Sequence, residues 1–266
     1  MAKLVLVTGA SSGIGEAAAK RYGKEGAKVV LLARNRERLD RVAAAIRQGG
    51  GEAAAYPIDL ADAAAIEETS ARIAREHGTP DILINNAGAG SWKSFVDTTA
   101  EEALAMIEVP YLAAFNLTRA VLLGMIARKS GAIACISSPA SYLVWPKATA
   151  YIAARHAVLG FTEALRADLK GTGVTVTLVV LGTVETPYWE HNPGSRENVP
   201  APNLLLAPTL SPEEAAQAIH DGVERGRRTV FAPAILRALV LLNAIAPRLV
   251  AQQLRRAVPK RKPDSA

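Results

Sequence analysis

Residues 4–15 read LVLVTGASSGIG, and this stretch decides the fold. Its first four residues are apolar without alternation, which is typical of a strand buried on both faces of a parallel sheet. Gly9, Gly13 and Gly15 follow, and a helical pattern then runs to Gly26. Glycines at this turn let the backbone approach a pyrophosphate at the helix N-terminus, where free N–H groups favour an anion. The order of strand, glycine-rich turn and helix therefore predicts a dinucleotide-binding unit; the alternative is a glycine turn without a ligand.

Apolar runs of similar length recur along the chain and alternate with helical patterns. They predict further strands at 28–33, 53–56, 81–84, 131–136, 174–180 and 229–231. Alternation of this kind favours a parallel sheet with right-handed crossovers. The predicted fold class is therefore α/β, a single-domain Rossmann-like doubly wound parallel sheet of about seven strands with helices on both faces. Because no Gly/Ser/Pro-rich linker divides the 266 residues, we expect one domain at 1–233, followed by an apolar and basic extension at 234–266.

Composition narrows the function classes. The single Cys135 excludes a disulfide framework, and the four histidines are scattered without metal-ligand spacing, so no metal site is expected. The net charge of +6 fits surface lysines and arginines together with a basic tail better than it fits nucleic-acid binding. Residues 1–3 run directly into the first strand, so we expect no signal peptide and a cytoplasmic location.

Three motifs together resemble the short-chain dehydrogenase/reductase family. The glycine spacing after Thr8 is Gly-x-x-x-Gly-x-Gly, the fourth strand ends in Asn-Asn-Ala-Gly at 85–88, and Ser138 precedes Tyr151 by thirteen residues. The resemblance covers roughly residues 3–190. It implies an oxidoreductase that moves a hydride between a nicotinamide cofactor and a carbonyl carbon.

The catalytic residues implied by this resemblance are Ser138, Tyr151 and Arg155. Tyr151 and Arg155 are four residues apart and so share one face of a predicted helix. A phenol, a fixed cation and a nearby hydroxyl suit proton transfer to a carbonyl oxygen. In the family, the tyrosine is the general acid/base and the serine orients the substrate oxygen. The residue at 155 would hold the nicotinamide ribose and lower the tyrosine pKa, which an adjacent cation can shift by about 1–3 units.

The end of the second predicted strand indicates which nicotinamide cofactor is bound. It ends in Ala33, where NAD-binding proteins place a carboxylate, and Arg34 follows immediately. No carboxylate repels a 2′-phosphate and a guanidinium is available to pair with it, so NADP(H) is expected rather than NAD(H). Alternatively, Arg34 is a solvated residue at the start of a helix. Asp59 matches the family's adenine contact; its alternative role is a cap for the helix that begins near Asp62.

The complete predicted cofactor set combines the glycine loop, the ends of later strands and the catalytic helix. It consists of Gly9, Ser11, Ser12, Gly13, Ile14, Gly15, Arg34, Asp59, Leu60, Asn86, Ala87, Gly88, Tyr151, Arg155, Gly182, Val184 and Thr186.

Three positions depart from the family pattern: Pro110, Arg155 and Leu181. Pro110 replaces an asparagine that bends a helix, and proline is expected to kink the predicted helix at 98–128 and free a carbonyl near Met106. Arg155 replaces a lysine and cannot readily lose a proton, which closes a relay through a neutral amine. Two hypotheses therefore remain open: an active NADP(H)-dependent enzyme, and a catalytically impaired NADP(H)-binding homologue with a structural or regulatory role.

Apolar loops point to the substrate. The candidate contacts are Tyr142, Leu143, Trp145, Tyr188 and Trp189, and an irregular stretch at about 188–210 is interpreted as a substrate lid. These residues favour a small hydrophobic carbonyl or alcohol.

The C-terminal segment and the long helices indicate two kinds of partner, a membrane surface and a second subunit. Residues 234–258 are apolar but too interrupted to span a bilayer, and the basic finish would suit peripheral contact with a membrane surface. The other interpretation is a helix packed on its own domain or on a sister subunit. The family resemblance implies a homodimer or homotetramer built through the long helices, here predicted at 98–128 and 149–170.

Overall fold

Seven parallel strands form the centre of the molecule. The computed structural model describes residues 2–192, 194–200 and 208–258. The strands are β1 (Leu4–Thr8), β2 (Lys28–Ala33), β3 (Glu52–Pro57), β4 (Ile82–Asn85), β5 (Gly131–Ser137), β6 (Val174–Leu181) and β7 (Thr229–Ala232). Their spatial order is β3-β2-β1-β4-β5-β6-β7, and each neighbouring pair is parallel. The predicted fold class is confirmed, and the chain reverses its direction of travel across the sheet between β1 and β4, where ligands bind in doubly wound folds.

Helices cover both faces of the sheet. They are α1 (Gly13–Lys24), α2 (Arg36–Gln48), α3 (Ala63–His77), α4 (Ala100–Ile107), α5 (Ala113–Ala127), α6 (Thr149–Asp168), α7 (Tyr188–His191), α8 (Pro212–Glu224), α9 (Ile235–Ile245) and α10 (Pro247–Ala257). Alternate residues of a strand point to opposite faces. Accordingly, Val5 and Val7 pack with α1, α2 and α8, whereas Leu4 and Leu6 pack with α3, α5 and α6. This double burial explains why the strands read as continuous apolar runs.

The long helix expected at 98–128 is interrupted at Pro110. α4 ends at Ile107, and residues Glu108–Leu112 form a π-helical turn in which the N–H of Ala113 bonds to the carbonyl of Glu108. Proline has no N–H to donate, so the regular bond to the carbonyl of Met106 cannot form. By length and composition alone the segment Ala100–Ala127 could cross a membrane. A core helix passes the same test, and the inner side chains of this segment, such as Leu117 and Met125, are buried against the sheet.

The segment after residue 234 packs onto the rest of the chain. Leu236 is buried beside Gly182, and Val250 and Leu254 are buried against Leu143. The Asn243 amide donates a hydrogen bond to the carbonyl of Tyr142 at 3.0 Å. Packing of these helices on their own domain was one of the two interpretations that the sequence left open for this segment. The basic residues 260–262 lie outside the described part of the chain.

The stretch expected to be an irregular lid at 188–210 is partly helical. Tyr188–His191 form α7, and Arg196–Asn198 form a 3₁₀ turn. Residues 201–207, which include Leu204, Leu205 and Leu206, lie outside the described residues. Residues 208–210 lead into α8, which begins with a capping box. The Ser211 hydroxyl accepts from the N–H of Glu214, and the Glu214 carboxylate accepts from the N–H of Ser211.

Candidate active site

A cavity of about 930 Å³ opens at the carboxyl ends of the central strands. It is lined by Ser138 and by every predicted cofactor residue except Gly15. Trp145, Tyr188 and Trp189 also line it, whereas Tyr142 and Leu143 do not. Parallel strands end at the same edge of the sheet, which is why motifs far apart in sequence meet here.

The glycine loop forms a backbone cradle at one side of this cavity. Gly9 and Gly13 have φ angles of 65° and 55°, which side chains rarely adopt. A Cβ at Gly15 would collide with the carbonyl oxygen of Gly9, so this glycine serves the close packing of the helix start and does not line the cavity. Ser12 is the N-cap of α1, but its side chain makes no capping hydrogen bond. The first turn of α1 can therefore offer N–H groups to an anion.

A hydrogen-bond network joins the ends of β1 and β4. The Thr8 hydroxyl accepts from the backbone N–H groups of Asn86 and Ala87, both at 2.9 Å. The Asn86 amide donates to the carbonyl of Thr8 at 2.9 Å, and the Asn85 amide donates to the Thr118 hydroxyl at 3.3 Å. Both asparagines thus act structurally, and the small residues that follow them line the cavity.

Two arginines stand at the α2 end of the cavity. Arg34 and Arg38 both line it, and Ala33 contributes no carboxylate. Sequence reasoning missed Arg38, which lies in the first turn of α2; its signal was a further arginine close to Arg34 at the start of a predicted helix. Arg36, which lies between them in the sequence, does not line the cavity.

Asp59 also lines this end and is not a helix cap. Its carboxylate accepts from the N–H of Ala61 at 3.0 Å. The cap of α3 is Asp62, which accepts from the N–H groups of Ala64 and Ala65. The alternative that sequence analysis left open for Asp59 is therefore wrong.

Ser138 and Tyr151 face the cavity from the end of β5 and the first turn of α6. The Ser138 hydroxyl oxygen accepts from the N–H of Ala140 at 3.1 Å, which leaves the hydroxyl proton to be donated elsewhere. Beneath them, the hydroxyls of Ser137 and Ser141 lie 2.6 Å apart, and Ser141 donates to the carbonyl of Arg155 at 3.1 Å. This buried chain ties the end of β5 to α6.

Arg155 is buried between Tyr151 and the loop after β4. Its guanidinium carbon lies 4.9 Å from the centre of the Tyr151 ring, and Nη1 donates to the carbonyl of Ile136 at 3.3 Å. A Cβ placed on Gly88 would approach Nη2 to 3.1 Å, so the small residue there makes room for the arginine. The buried Nε has no hydrogen-bond partner among the described residues. Because the side chain also lines the cavity, the guanidinium is within reach of a ligand bound there.

Trp92 is a site residue that sequence reasoning missed. Its ring centre lies 4.7 Å from that of Tyr151, 5.5 Å from that of Trp145 and 6.1 Å from that of Trp189. It is only 6% exposed. The only sequence signal was a large aromatic residue four positions beyond Gly88, in a loop otherwise made of small and polar residues.

Trp92 also holds the described residues between 188 and 200 against the site. Its indole N–H donates to the Tyr188 hydroxyl at 3.4 Å, and its backbone N–H donates to the Ser195 hydroxyl at 3.1 Å. Its carbonyl accepts from the Asn198 amide at 2.7 Å. The segment therefore closes on the cavity through Trp92.

Tyr188 is a second tyrosine near the reactive residues. Burial raises its pKa above the usual range; the neighbouring Tyr151 raises it further, while Arg155 and the bond from Trp92 oppose the shift. Tyr188 therefore remains a neutral phenol at ordinary pH and can act as a hydrogen-bond donor.

The structure does not bring Tyr142 and Leu143 to the cavity. Tyr142 packs on Phe231 with ring centres 6.0 Å apart, and Leu143 is buried under α10. Their apolar surface is used to hold the C-terminal helices. We therefore assign both to packing and not to substrate contact.

Comparisons with known proteins show which family the chain belongs to. The family model for short chain dehydrogenases matches residues 3–196. A fatty acyl-CoA reductase from Acinetobacter baylyi is 36% identical over 248 residues, which are 92% of this chain and 80% of that protein. A putative ketoacyl reductase from Streptomyces coelicolor is 37% identical over 187 residues, 70% of this chain and 72% of that protein.

Solved structures show the same likeness across the whole fold. A short-chain dehydrogenase from Sphingobium yanoikuyae in complex with NADPH superimposes with a TM-score of 0.80 at 28% identity, covering 99% of this chain and 98% of that one. A metagenomic short-chain oxidoreductase in complex with NADP gives a TM-score of 0.70 at 32% identity, covering 85% and 90%. With its glycine loop, its Asn-Asn-Ala-Gly turn and its serine and tyrosine at one cavity, this chain belongs to the short-chain dehydrogenase/reductase family.

Proposed function

We propose that this protein is an NADP(H)-dependent oxidoreductase that interconverts a carbonyl and an alcohol on a hydrophobic substrate. One observation carries the proposal: Ser138, Tyr151 and Arg155 line the same cavity as the glycine loop. A proton donor and a nucleotide cradle at one cavity are what hydride transfer to a carbonyl requires.

The cavity residues fit NADP(H). The glycine loop offers backbone N–H groups for the pyrophosphate, and Arg34 and Arg38 offer guanidinium groups for a 2′-phosphate. Arg155 lines the cavity and offers guanidinium N–H groups for a ribose hydroxyl. The similar structures from Sphingobium yanoikuyae and from the metagenome hold NADPH and NADP. When bound, the cofactor supplies a hydride to the substrate carbonyl carbon.

The protein's task in this reaction is to handle the proton. Tyr151 donates its phenol proton to the substrate oxygen as general acid, and removes it in the reverse direction. Ser138 donates a hydrogen bond to the same oxygen. The charge of Arg155 stabilises negative charge on the Tyr151 oxygen. Because a guanidinium does not lose its proton, the proton that restores Tyr151 must come from another group.

The substrate is proposed to be a hydrophobic aldehyde or ketone. Trp92 packs on Tyr151, and Trp145 and Trp189 pack on Trp92, so that three indole rings form an aromatic wall beside Tyr151. Aromatic walls with few polar groups suit apolar ligands. The relative from Acinetobacter baylyi is a fatty acyl-CoA reductase, which supports carbonyl compounds with long acyl chains as candidates.

The test is NADPH oxidation measured with a panel of long-chain aldehydes, aromatic ketones and fatty acyl-CoA esters. We expect turnover with at least one apolar carbonyl, its elimination by Tyr151→Phe, and unchanged NADPH binding in that variant. Tyr142→Phe, which alters a tyrosine outside the cavity, should keep full activity. Turnover that persists in Tyr151→Phe would contradict the assignment of the proton donor.

A specific observation favours the second hypothesis, an impaired NADP(H)-binding homologue. Arg155 and Pro110 both depart from the family at the side of the site that handles the proton. This hypothesis expects tight NADPH binding without turnover across the whole panel. Recovery of turnover by Arg155→Lys would then locate the impairment at that residue.

We propose a homodimer or homotetramer as the working assembly. Leu104, Leu112, Phe115 and Leu123 on α4, its π turn and α5 are 40–78% exposed, which is unusual for so many large apolar side chains along neighbouring helical turns. Sedimentation of the purified protein tests this assembly: a monomer at micromolar concentration would contradict it.

The cytoplasmic location expected from the sequence stays a prediction.

A further inference from the structure

The two C-terminal helices form a hairpin whose outer face is apolar. In this C-terminal hairpin, α9 and α10 together, Leu241, Leu242, Ile245 and Leu249 are 56%, 45%, 84% and 53% exposed. All four lie close to the corner between the helices. Four large aliphatic side chains exposed within nine residues exceed what a solvated surface usually carries.

These side chains are not needed by the protein's own core. The hairpin already has an inner face: Leu236, Val250 and Leu254 are at most 2% exposed, and the last two pack on Leu143. A helix with one face in the core normally turns polar residues outward. The outer face of this hairpin therefore departs from the usual pattern.

The charges on the hairpin all have one sign. Arg237, Arg248, Arg255 and Arg256 are exposed, and the chain contains no Asp or Glu from residue 225 to residue 258. Within the described part of the chain, none of the four arginines forms an ion pair. Four cations are thus displayed without a carboxylate beside them in the sequence.

Helical spacing places the cations on the same face as the aliphatic side chains. On α9, Arg237, Leu241 and Ile245 follow one another at intervals of four and so form one stripe. On α10, Leu249 and Arg256 are seven residues apart and share a side. An apolar stripe flanked by arginines is the composition of helices that lie in the interface of an anionic bilayer.

We propose that the outer face of the C-terminal hairpin docks on the surface of a membrane containing anionic lipids. The aliphatic side chains would enter the boundary between headgroups and acyl chains, and the arginines would contact lipid phosphates. A second copy of this chain is a poorer occupant. A two-fold contact pairs a patch with itself, and this patch would bring arginines against arginines without carboxylates to offset them.

The position of the hairpin gives such docking a consequence for the site. Its inner residues Val250 and Leu254 pack in one cluster with Trp145, and Trp145 lines the cavity. The hairpin would therefore stand between the membrane surface and one wall of the cavity. The docking itself does not depend on the proposed reaction, since it rests on the hairpin alone.

The test is flotation of the full chain with vesicles of phosphatidylcholine, with and without phosphatidylserine. We expect binding to vesicles with phosphatidylserine, weakened by high salt, and little binding to phosphatidylcholine alone. The variant Leu241→Ser/Ile245→Ser/Leu249→Ser should lose about tenfold or more in vesicle affinity. So should Arg248→Glu/Arg255→Glu, which alters only exposed charges and leaves the packed face intact.

Matched controls use exposed residues elsewhere on the surface. Val96→Ser removes a valine that is 89% exposed in the loop between β4 and α4, and Arg75→Glu/Lys170→Glu makes the same change in net charge away from the hairpin. Both should bind vesicles as the unaltered protein does. Absence of vesicle binding by the unaltered chain would overturn the proposal. An equal loss of vesicle affinity in the controls would overturn it as well. A smaller sedimenting mass of the triple variant with unchanged vesicle binding would also overturn it, because that result would identify the face as a subunit contact.

Discussion

The guanidinium carbon of Arg155 lies 4.9 Å from the centre of the Tyr151 ring, one helical turn away along α6. The two side chains lie against each other inside the cavity wall, and Nη1 is bonded to the carbonyl of Ile136. A fixed cation therefore stands where the family places a lysine, held by the ring on one side and by the sheet on the other. In the proposed reaction, this pair handles the proton.

Charge at position 155 is expected to matter more than the identity of the cation. Arg155→Lys should retain kcat to within about tenfold, because the ammonium can still stabilise charge on the tyrosine oxygen. Arg155→Met should lower kcat by about a hundredfold or more, the size of effect seen when one electrostatic contact to a developing charge is removed. Steady-state kinetics at saturating NADPH measure both, and equal activity of the methionine and lysine variants would contradict the electrostatic role.

Preference for the phosphorylated cofactor is expected to depend on Arg34 and Arg38. Each single alanine variant should weaken NADPH binding by roughly tenfold to a hundredfold, as for loss of a charge-assisted hydrogen bond, and leave NADH binding nearly unchanged. Titration of NADPH and NADH by fluorescence measures the ratio. Arg36→Ala is the matched control, because Arg36 starts the same helix but does not line the cavity; parallel losses for both cofactors would remove the 2′-phosphate assignment.

The Tyr188 hydroxyl is expected to contribute to the closed site. Tyr188→Phe removes the acceptor of the Trp92 indole bond and a neutral donor next to Tyr151. We expect kcat/KM for the carbonyl substrate to fall by about tenfold, the value of one hydrogen bond, with NADPH affinity unchanged. Tyr142→Phe controls for loss of a phenol outside the cavity. A fall of similar size in both variants would show a general effect on the fold.

Stability is expected to decline in mild acid through His77. Burial lowers the pKa of His77, and the charge of Lys28 lowers it further, while Glu76 opposes the shift. Because the folded-state pKa lies below the unfolded value of about 6.5, the unfolded chain binds the proton first. The contribution to the free energy of unfolding is therefore present above about pH 6.5 and is lost as the pH falls towards the folded-state pKa.

Urea titrations between neutral and mildly acidic pH measure this loss. His77→Gln should show a smaller decline than the unaltered protein. His156→Gln, which changes an exposed histidine on α6, should show the same decline as the unaltered protein. A decline that is identical in all three proteins would assign it to other groups.

Local signals in the sequence account for the sheet and for most of the cofactor site. A strand buried on both faces must be apolar along its length, so β1, β2 and β4 can be recognised without their neighbours. Backbone turns with positive φ favour glycine, so Gly9 and Gly13 mark the loop by residue type alone. Because strands in a parallel sheet end at one edge, residues that follow them could be assigned to a common site.

Side chains whose role depends on a distant partner could not be assigned in this way. Trp92 follows β4 and meets Tyr151 from α6, Trp145 from the loop after β5 and Trp189 from α7. Leu143 has the same apolar character as these residues but is buried beneath α10. The hydrophobicity of a side chain predicts that it will be buried, but it does not predict which surface will bury it.

The sequence by itself thus determined the order of strands and helices, the glycine cradle and the serine and tyrosine of the proposed reaction, because each follows from residue type and spacing along one element. Only the tertiary structure decided that Arg38 joins Arg34 at the cavity, that Trp92 covers Tyr151, and that the C-terminal hairpin turns its leucines outward. These facts depend on packing between elements far apart in the chain, and non-directional apolar contacts leave no local pattern from which to predict them.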